Sequence, residues 1–142
     1  MEFQSIVVGQ MKSRGRDKYG DGQPGSPRDG GIRIHDGLDI VASPTQKIMS
    51  PIGGLIIREA FPYKDDLSMR GILVRGTQNY VGWEIKLFYV LGLFSGPVRA
   101  GGLIGHAQDL SRKYPGITNH VHLEVFRNGL RVDPREPFRR CF

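Results

Sequence analysis

Two short motifs hold three of the four histidines and most of the side chains that could do chemistry. His35 precedes Asp39 by four residues, and His120 and His122 flank Val121 in the run "TNHVHLEVF". A metal held by nitrogen and oxygen needs donors about 2.0–2.2 Å away, hence about 3.3 Å from one another. In a straight strand, residues four apart share a face but stand about 13 Å apart. His35 and Asp39 therefore share an ion only if the chain bends between them. Asp36-Gly37 can supply the bend, because glycine accepts positive φ and aspartate tolerates turns; the competing reading is an ordinary surface turn. In an extended chain His120 and His122 point to one face about 6.6 Å apart, while Val121, Leu123 and Val125 point to the other. Taken alone, that pair also reads as half-buried strand histidines with hydrogen-bonded partners. Taken together, two imidazoles and a carboxylate suit zinc and leave a fourth position for water. Glu124, on the histidine face, is either an acceptor that orients a ligand or a surface charge.

The elements that must position these groups are short. With 142 residues, 39% of them hydrophobic, the chain suits one domain. Twenty glycines and nine prolines punctuate the apolar runs, which predicts an all-β fold. Eight strands are expected, in "LDIVAS", "QKIMS", "GLIIREAF", "GILVRG", "WEIKLFYVLGLF", "GLIGHA", "HVHLEVF" and "LRVDP". Asn128-Gly129 predicts a hairpin joining the last two. The one helical piece is expected around "AQDLSRKY", ended by Pro115-Gly116. Residues 1–30 read as a glycine-rich arm wrapped on the core, and residues 31–142 as the metal-binding β domain. Trp83, Phe88 and Tyr89 read as packing residues.

Lys and Arg exceed Asp and Glu by 20 to 14, a net +6. The excess gathers at Lys12, Arg14, Arg16 and Lys18 and at Arg127, Arg131, Arg135, Arg139 and Arg140. A polyanion such as an acidic polysaccharide is one partner class; a well-solvated surface is the favoured reading. No aromatics interleave with these cations and no zinc-finger or RNP pattern appears, which argues against nucleic acid. No apolar run has the length of a membrane span, so membrane insertion is not expected. Cys141 is the only cysteine, so no internal disulfide forms. The opening "MEFQSIVVGQ" has no signal-peptide pattern, which fits either an intracellular protein or a trimmed form.

"RIHDGLDIVASPTQKIMSPIGGLIIREA" and the distant "HVHLEVFRNGLRVDP" resemble the lysostaphin-type zinc endopeptidases, which cut peptide bonds in bacterial cell walls. Within that superfamily, "FPYKDD", "KLFYVLGLFSGPVRAGGLIG" and "KYPGITNHVHLEV" are most similar to the family of leukocyte cell-derived chemotaxin 2 and myeloid protein 1, over about Asp17 to Pro134. The resemblance implies a flattened β-barrel or sandwich of the lysostaphin-type (duplicated hybrid) fold with long loops. It implies zinc held by His35, Asp39 and His122, with His120 catalytic if the domain is active.

Active peptidases of the group carry a further histidine in a Tyr-x-His-Leu segment. This chain has "FYVLGLF", which puts Leu91, or Val90 in a shifted register, where that donor belongs. Losing one oxyanion donor costs ~100- to 1000-fold in turnover, so the resemblance implies a zinc-bearing pseudoenzyme, secreted, acting in innate immunity on a cell-surface receptor or on bacterial cell-wall components. A working endopeptidase, with metal-activated water as nucleophile and His120 as general base, is the competing expectation. Leu91 is expected in the core, and His106 at a solvent-exposed loop or strand end.

Overall fold

The computed structural model describes residues 2–17, 19–21, 27–28, 33–34 and 37–142. In chain order the strands among them are β1 (Arg16–Asp17), β2 (Gly20–Asp21), β3 (Pro27–Arg28), β4 (Arg33–Ile34), β5 (Leu38–Val41), β6 (Lys47–Met49), β7 (Gly54–Ala60), β8 (Gly71–Gly76), β9 (Trp83–Phe88), β10 (Val90–Gly92), β11 (Gly96–Val98), β12 (Leu103–Ala107), β13 (His120–Arg127) and β14 (Leu130–Val132). A 3-10 turn at Gln78–Tyr80 is the only helical element described. The all-β class stands.

One sheet runs β11-β7-β8-β9-β13-β14, with β5 also paired to β13; β10, β12 and β6 make a second, and β1-β2 and β3-β4 are small ribbons. Alternation decides the faces. On β13, Val121, Leu123 and Val125 are fully buried in the core, and on β9 so are Ile85 and Leu87. His120, His122 and Glu124 take the opposite face. Asn128 and Gly129 both adopt positive φ, 50° and 81°, and turn β13 back on β14 as the dipeptide predicts.

Three local expectations need correction. The run "WEIKLFYVLGLF" is not one strand: Tyr89 adopts φ 69° and sends the chain from the large sheet (β9) to the small one (β10). "AQDLSRKY" is not a helix. The amides of Lys113 and Tyr114 both donate to the Leu110 carbonyl, the Asn119 side chain accepts from Leu110 N and the Asp109 side chain from Ser111 N. These caps close a single turn that Pro115 cannot extend. Gly96–Val98 is an edge strand hidden by its glycine and proline, residues that edge strands tolerate.

Residues of the N-terminal segment belong to the core. Phe3, Ile6, Val7 and Met11 are buried, and Phe3 meets Trp83 and Phe138 edge-on. Val41 N donates to Lys12 O and Arg14 N to Asp39 O, so residues 12–14 lie along the edge of β5 that β13 does not use.

Gly37 forms the bend just before β5, and a Cβ there would stand 2.2 Å from the Leu123 carbonyl oxygen on β13. Backbone cannot yield as a side-chain tip does. Gly37→Ala should therefore cost about 1–3 kcal/mol of unfolding free energy, as overpacked sites do; urea denaturation with an unchanged midpoint would contradict this.

Candidate metal centre

The centre is one row across the large sheet. His122 pairs with Asp39 of β5 on one side and with Phe88 of β9 on the other, and Phe88 pairs in turn with Gly71 of β8. Cross-strand neighbours on one face stand within side-chain reach. His122 Nδ1 lies 2.9 Å from Asp39 Oδ1, and the Phe88 ring stacks on the imidazole at 5.8 Å between centroids. Arg14 extends the row past β5: its Nη1 donates to Asp39 Oδ2 at 2.9 Å, with the two side chains 3% and 2% exposed. Glu124 closes the other end. Its Oε2 accepts from His122 Nε2 at 2.8 Å and its Oε1 pairs with Arg131 at 3.0 Å. Arginine, aspartate, histidine, glutamate and arginine thus follow one another in contact.

His120, 3% exposed, sits beside this row. Its Nδ1 is 2.8 Å from the Thr118 carbonyl and its Nε2 is 3.5 Å from Asp39 Oδ2. A carbonyl only accepts, so Nδ1 carries the hydrogen. The Tyr89 ring meets His120 edge-on at 5.5 Å. In an extended strand Phe88 and Tyr89 would face opposite ways; the left-handed backbone at Tyr89 lets both touch the histidine pair. That conformation is uncommon outside glycine and costs about 1–3 kcal/mol unless the surroundings hold it. The surroundings do: the Tyr89 hydroxyl bonds that of Tyr63 at 2.8 Å, Tyr63 bonds Tyr114 at 2.5 Å, and Asp66 pairs with Lys113. These contacts tie the loop after β7 to the loop before β13 beside the centre.

Burial works against the charge on His122, yet its hydrogen bonds to Asp39 and Glu124 prevail and lift its pKa to about 9. Burial also opposes the Glu124 charge, but the His122 hydrogen bond and charge, then Arg131, hold that carboxyl below its ordinary value. His120 goes the other way: burial lowers its pKa, with Asp39 opposing. Burial raises Tyr89 to about 12.

Of the expected ligands, Asp39 and His122 meet in a hydrogen bond, and His35 lies outside the described residues. Among the described residues no three metal-binding side chains converge. The Asp39–His122 pair nevertheless fits zinc. Its two inward atoms are near the separation a tetrahedral site needs, and the outward atom of each is held by a partner. Glu124 is an acceptor for His122.

Other expectations need revision. Arg14 is not a solvated surface charge but a buried partner of Asp39. Leu91 is not core: it is 46% exposed on β10, whereas Val90 is fully buried. His106 is neither in a loop nor exposed; it is half-buried within β12, opposite Leu91 on one side and Lys47 on the other. Arg131, Arg135 and Arg140 are exposed, as a solvated surface implies, and each also pairs with a carboxylate, Glu124, Asp133 and Glu2, while Arg127 lies over Trp83. Lys18 lies outside the described residues. Phe88, Tyr89 and Arg14 escape the motif reading because register and backbone handedness, not spacing, bring them in.

No family profile matches the chain. The fold is shared with lysostaphin in its NMR structure, at TM-score 0.65 and 18% identity over 92% of this chain and 51% of that one. It is shared with a zinc-containing peptidase from Vibrio cholerae, at 0.58 and 16% over 92% and 39%, and with a putative M23 peptidase from Pseudomonas aeruginosa, at 0.54 and 23% over 92% and 53%. The chain thus spans about two fifths to half of those solved chains. This is the lysostaphin-type peptidase fold. Among curated proteins, leukocyte cell-derived chemotaxin-2 of Mus musculus is 32% identical and that of Bos taurus 30%, each over 110 residues covering 76% of this chain and 69% of the relative. Myeloid protein 1 of Gallus gallus is 29% identical over 130 residues, 89% of this chain and 38% of the relative. The chain belongs to the leukocyte cell-derived chemotaxin-2 family.

The raised His122 value makes the metal-free protein sensitive to alkali. A histidine held above its unfolded value of 6.5 contributes stability that is complete below 6.5 and lost as pH rises through about 9. The lowered His120 has the opposite sign and loses stability as pH falls below its unfolded value of 6.5. Calorimetry in chelator should give a melting temperature that falls between pH 6.5 and 9, and His122→Gln should flatten that limb. A flat profile for the parent protein would show that His122 is not held between charged carboxylates.

Proposed function

We propose that this chain is a zinc-binding, catalytically silent domain of the chemotaxin type, acting outside the cell as a signalling or pathogen-binding protein in innate immunity. The observation that carries the zinc reading is the Asp39 Oδ1–His122 Nδ1 pair, fastened from behind by Arg14 and Glu124. With His35, these two would hold the metal. Zinc, when bound, supplies Lewis acidity and activates water.

What the remaining residues offer supports silence. Leu91, at the position that resemblance gives to a further histidine, has no hydrogen to donate to a developing oxyanion. His120 is closed in by Thr118, Asp39 and Tyr89 and is almost fully buried. One observation favours a working endopeptidase on cell-wall peptides: with Nδ1 bonded to Thr118, the Nε2 of His120 is the basic nitrogen, which is the tautomer a general base needs. No helix among the described residues is long and apolar enough to cross a membrane. A cell-surface receptor or cell-wall material is the proposed partner class. The pairing of three terminal arginines weakens the case for an acidic polysaccharide.

Elemental analysis after zinc is offered should find about one equivalent per chain, at the micromolar or tighter affinity of such sites. His122→Ala should lose the metal while His120→Ala keeps it; the reverse would exchange their roles.

Cleavage of glycine-rich or cell-wall peptides should stay at background. Because Leu91 is half exposed, Leu91→His should fold with a stability change within about 0.5 kcal/mol, as at other surface positions, and regain a trace of activity at most. Robust cleavage by the parent protein, abolished by chelator, would sink the silent reading.

A further inference from the structure

We infer that Arg14 is a resident cation that competes with the metal for Asp39 and so sets the affinity of the site, an inference that rests on the zinc reading above. A carboxylate ligand can only accept, so the group behind it is a donor. The group behind a ligating histidine is usually an acceptor that raises its basicity, and its loss costs about 10- to 100-fold in affinity. Glu124, behind His122, is of that kind. Arg14 is of the opposite kind. It donates from a permanently charged guanidinium to Asp39 Oδ2 at 2.9 Å, so one unit of carboxylate charge is shared between it and whatever binds Oδ1. Both side chains are buried, where repulsion between two cations on one carboxylate is weakly screened.

Arg14 is also anchored. Its own N–H donates to the Asp39 carbonyl at 2.8 Å, and Lys12 O accepts from Val41 N at 2.7 Å. A metal arriving at Oδ1 therefore meets the guanidinium in place. The same geometry leaves the Asp39 carboxylate compensated before any metal arrives, so the fold does not depend on the ion as an uncompensated buried carboxylate would.

The test is a chelator-competition titration with zinc on the whole chain, repeated with cobalt(II) and read by its ligand-field absorption, for the parent, Arg14→Gln and Arg14→Lys. Glutamine keeps a hydrogen-bond donor toward Oδ2 without the charge; lysine keeps the charge. Arg14→Gln should bind both metals at least about tenfold tighter, with a melting temperature that drops in chelator and recovers in zinc, since a ligand stabilises by its affinity for the folded state. Arg14→Lys should stay within about threefold of the parent. If Arg14→Gln folds only with zinc added, its Kd multiplied by its metal-free folded fraction must still lie about tenfold below that of the parent. Unchanged or weaker binding by Arg14→Gln, failure to fold even in zinc, or a tenfold shift in Arg14→Lys would overturn the inference while leaving the zinc reading intact when the parent still takes metal. Absence of zinc and cobalt uptake by both the parent and Arg14→Gln would remove the zinc reading and this inference with it.

Discussion

The structure depends on the register of β13 between β5 and β9. Pairing His122 with Asp39 and Phe88 puts both histidines and Glu124 on one face and Val121, Leu123 and Val125 on the other. Side chains alternate strictly, so a slip of one residue would drive two imidazoles and a carboxylate into the core and expose three apolar side chains. Such a slip is heavily penalised from both sides of the sheet. The Gly37 approach to Leu123 and the Asn128-Gly129 hairpin hold the same alignment from its two ends. The core therefore sets the position of the polar row.

That row manages an awkward energetic problem. Burying charge is costly unless each ion finds a partner with good geometry. Here each charged group touches the next: Arg14 with Asp39, Asp39 with His122, His122 with Glu124, Glu124 with Arg131. Only Arg131, at the rim, is well exposed. Replacing an interior member by an apolar residue would leave its neighbours unpaired in a place that water reaches poorly, a heavier loss than breaking the exposed pair of Arg135 with Asp133.

How much of this was legible in the sequence depends on which physical signal was being read. The two-residue period of "HVHLEVF" places its histidines and Glu124 correctly, because alternation is a property of a single strand. The turn dipeptide gives the hairpin for an equally local reason. Arg14 looked like surface because nothing in "KSRGR" reveals that its backbone runs beside β5. Tyr89 hid because a bulky residue with positive φ has no sequence mark, and with it went the change of sheet and the exposure of Leu91. The expected helix at "AQDLSRKY" failed because side-chain caps, invisible to periodicity, closed the first turn. His35 carries half of the first motif, and it lies outside the described residues.

The polar row has a consequence for how the molecule comes into being. Its members stand at positions 14, 39, 122, 124 and 131, so it joins segments about a hundred residues apart. Contacts of such separation must pay for closing long loops before they yield anything, which makes them late and slow to form. Residues 38–98 contain every strand from β5 to β11, yet without β13 the Asp39 carboxylate lacks the histidine it faces. The row exists only once β13 lies between β5 and β9, so this centre cannot form before the chain through β13 is available.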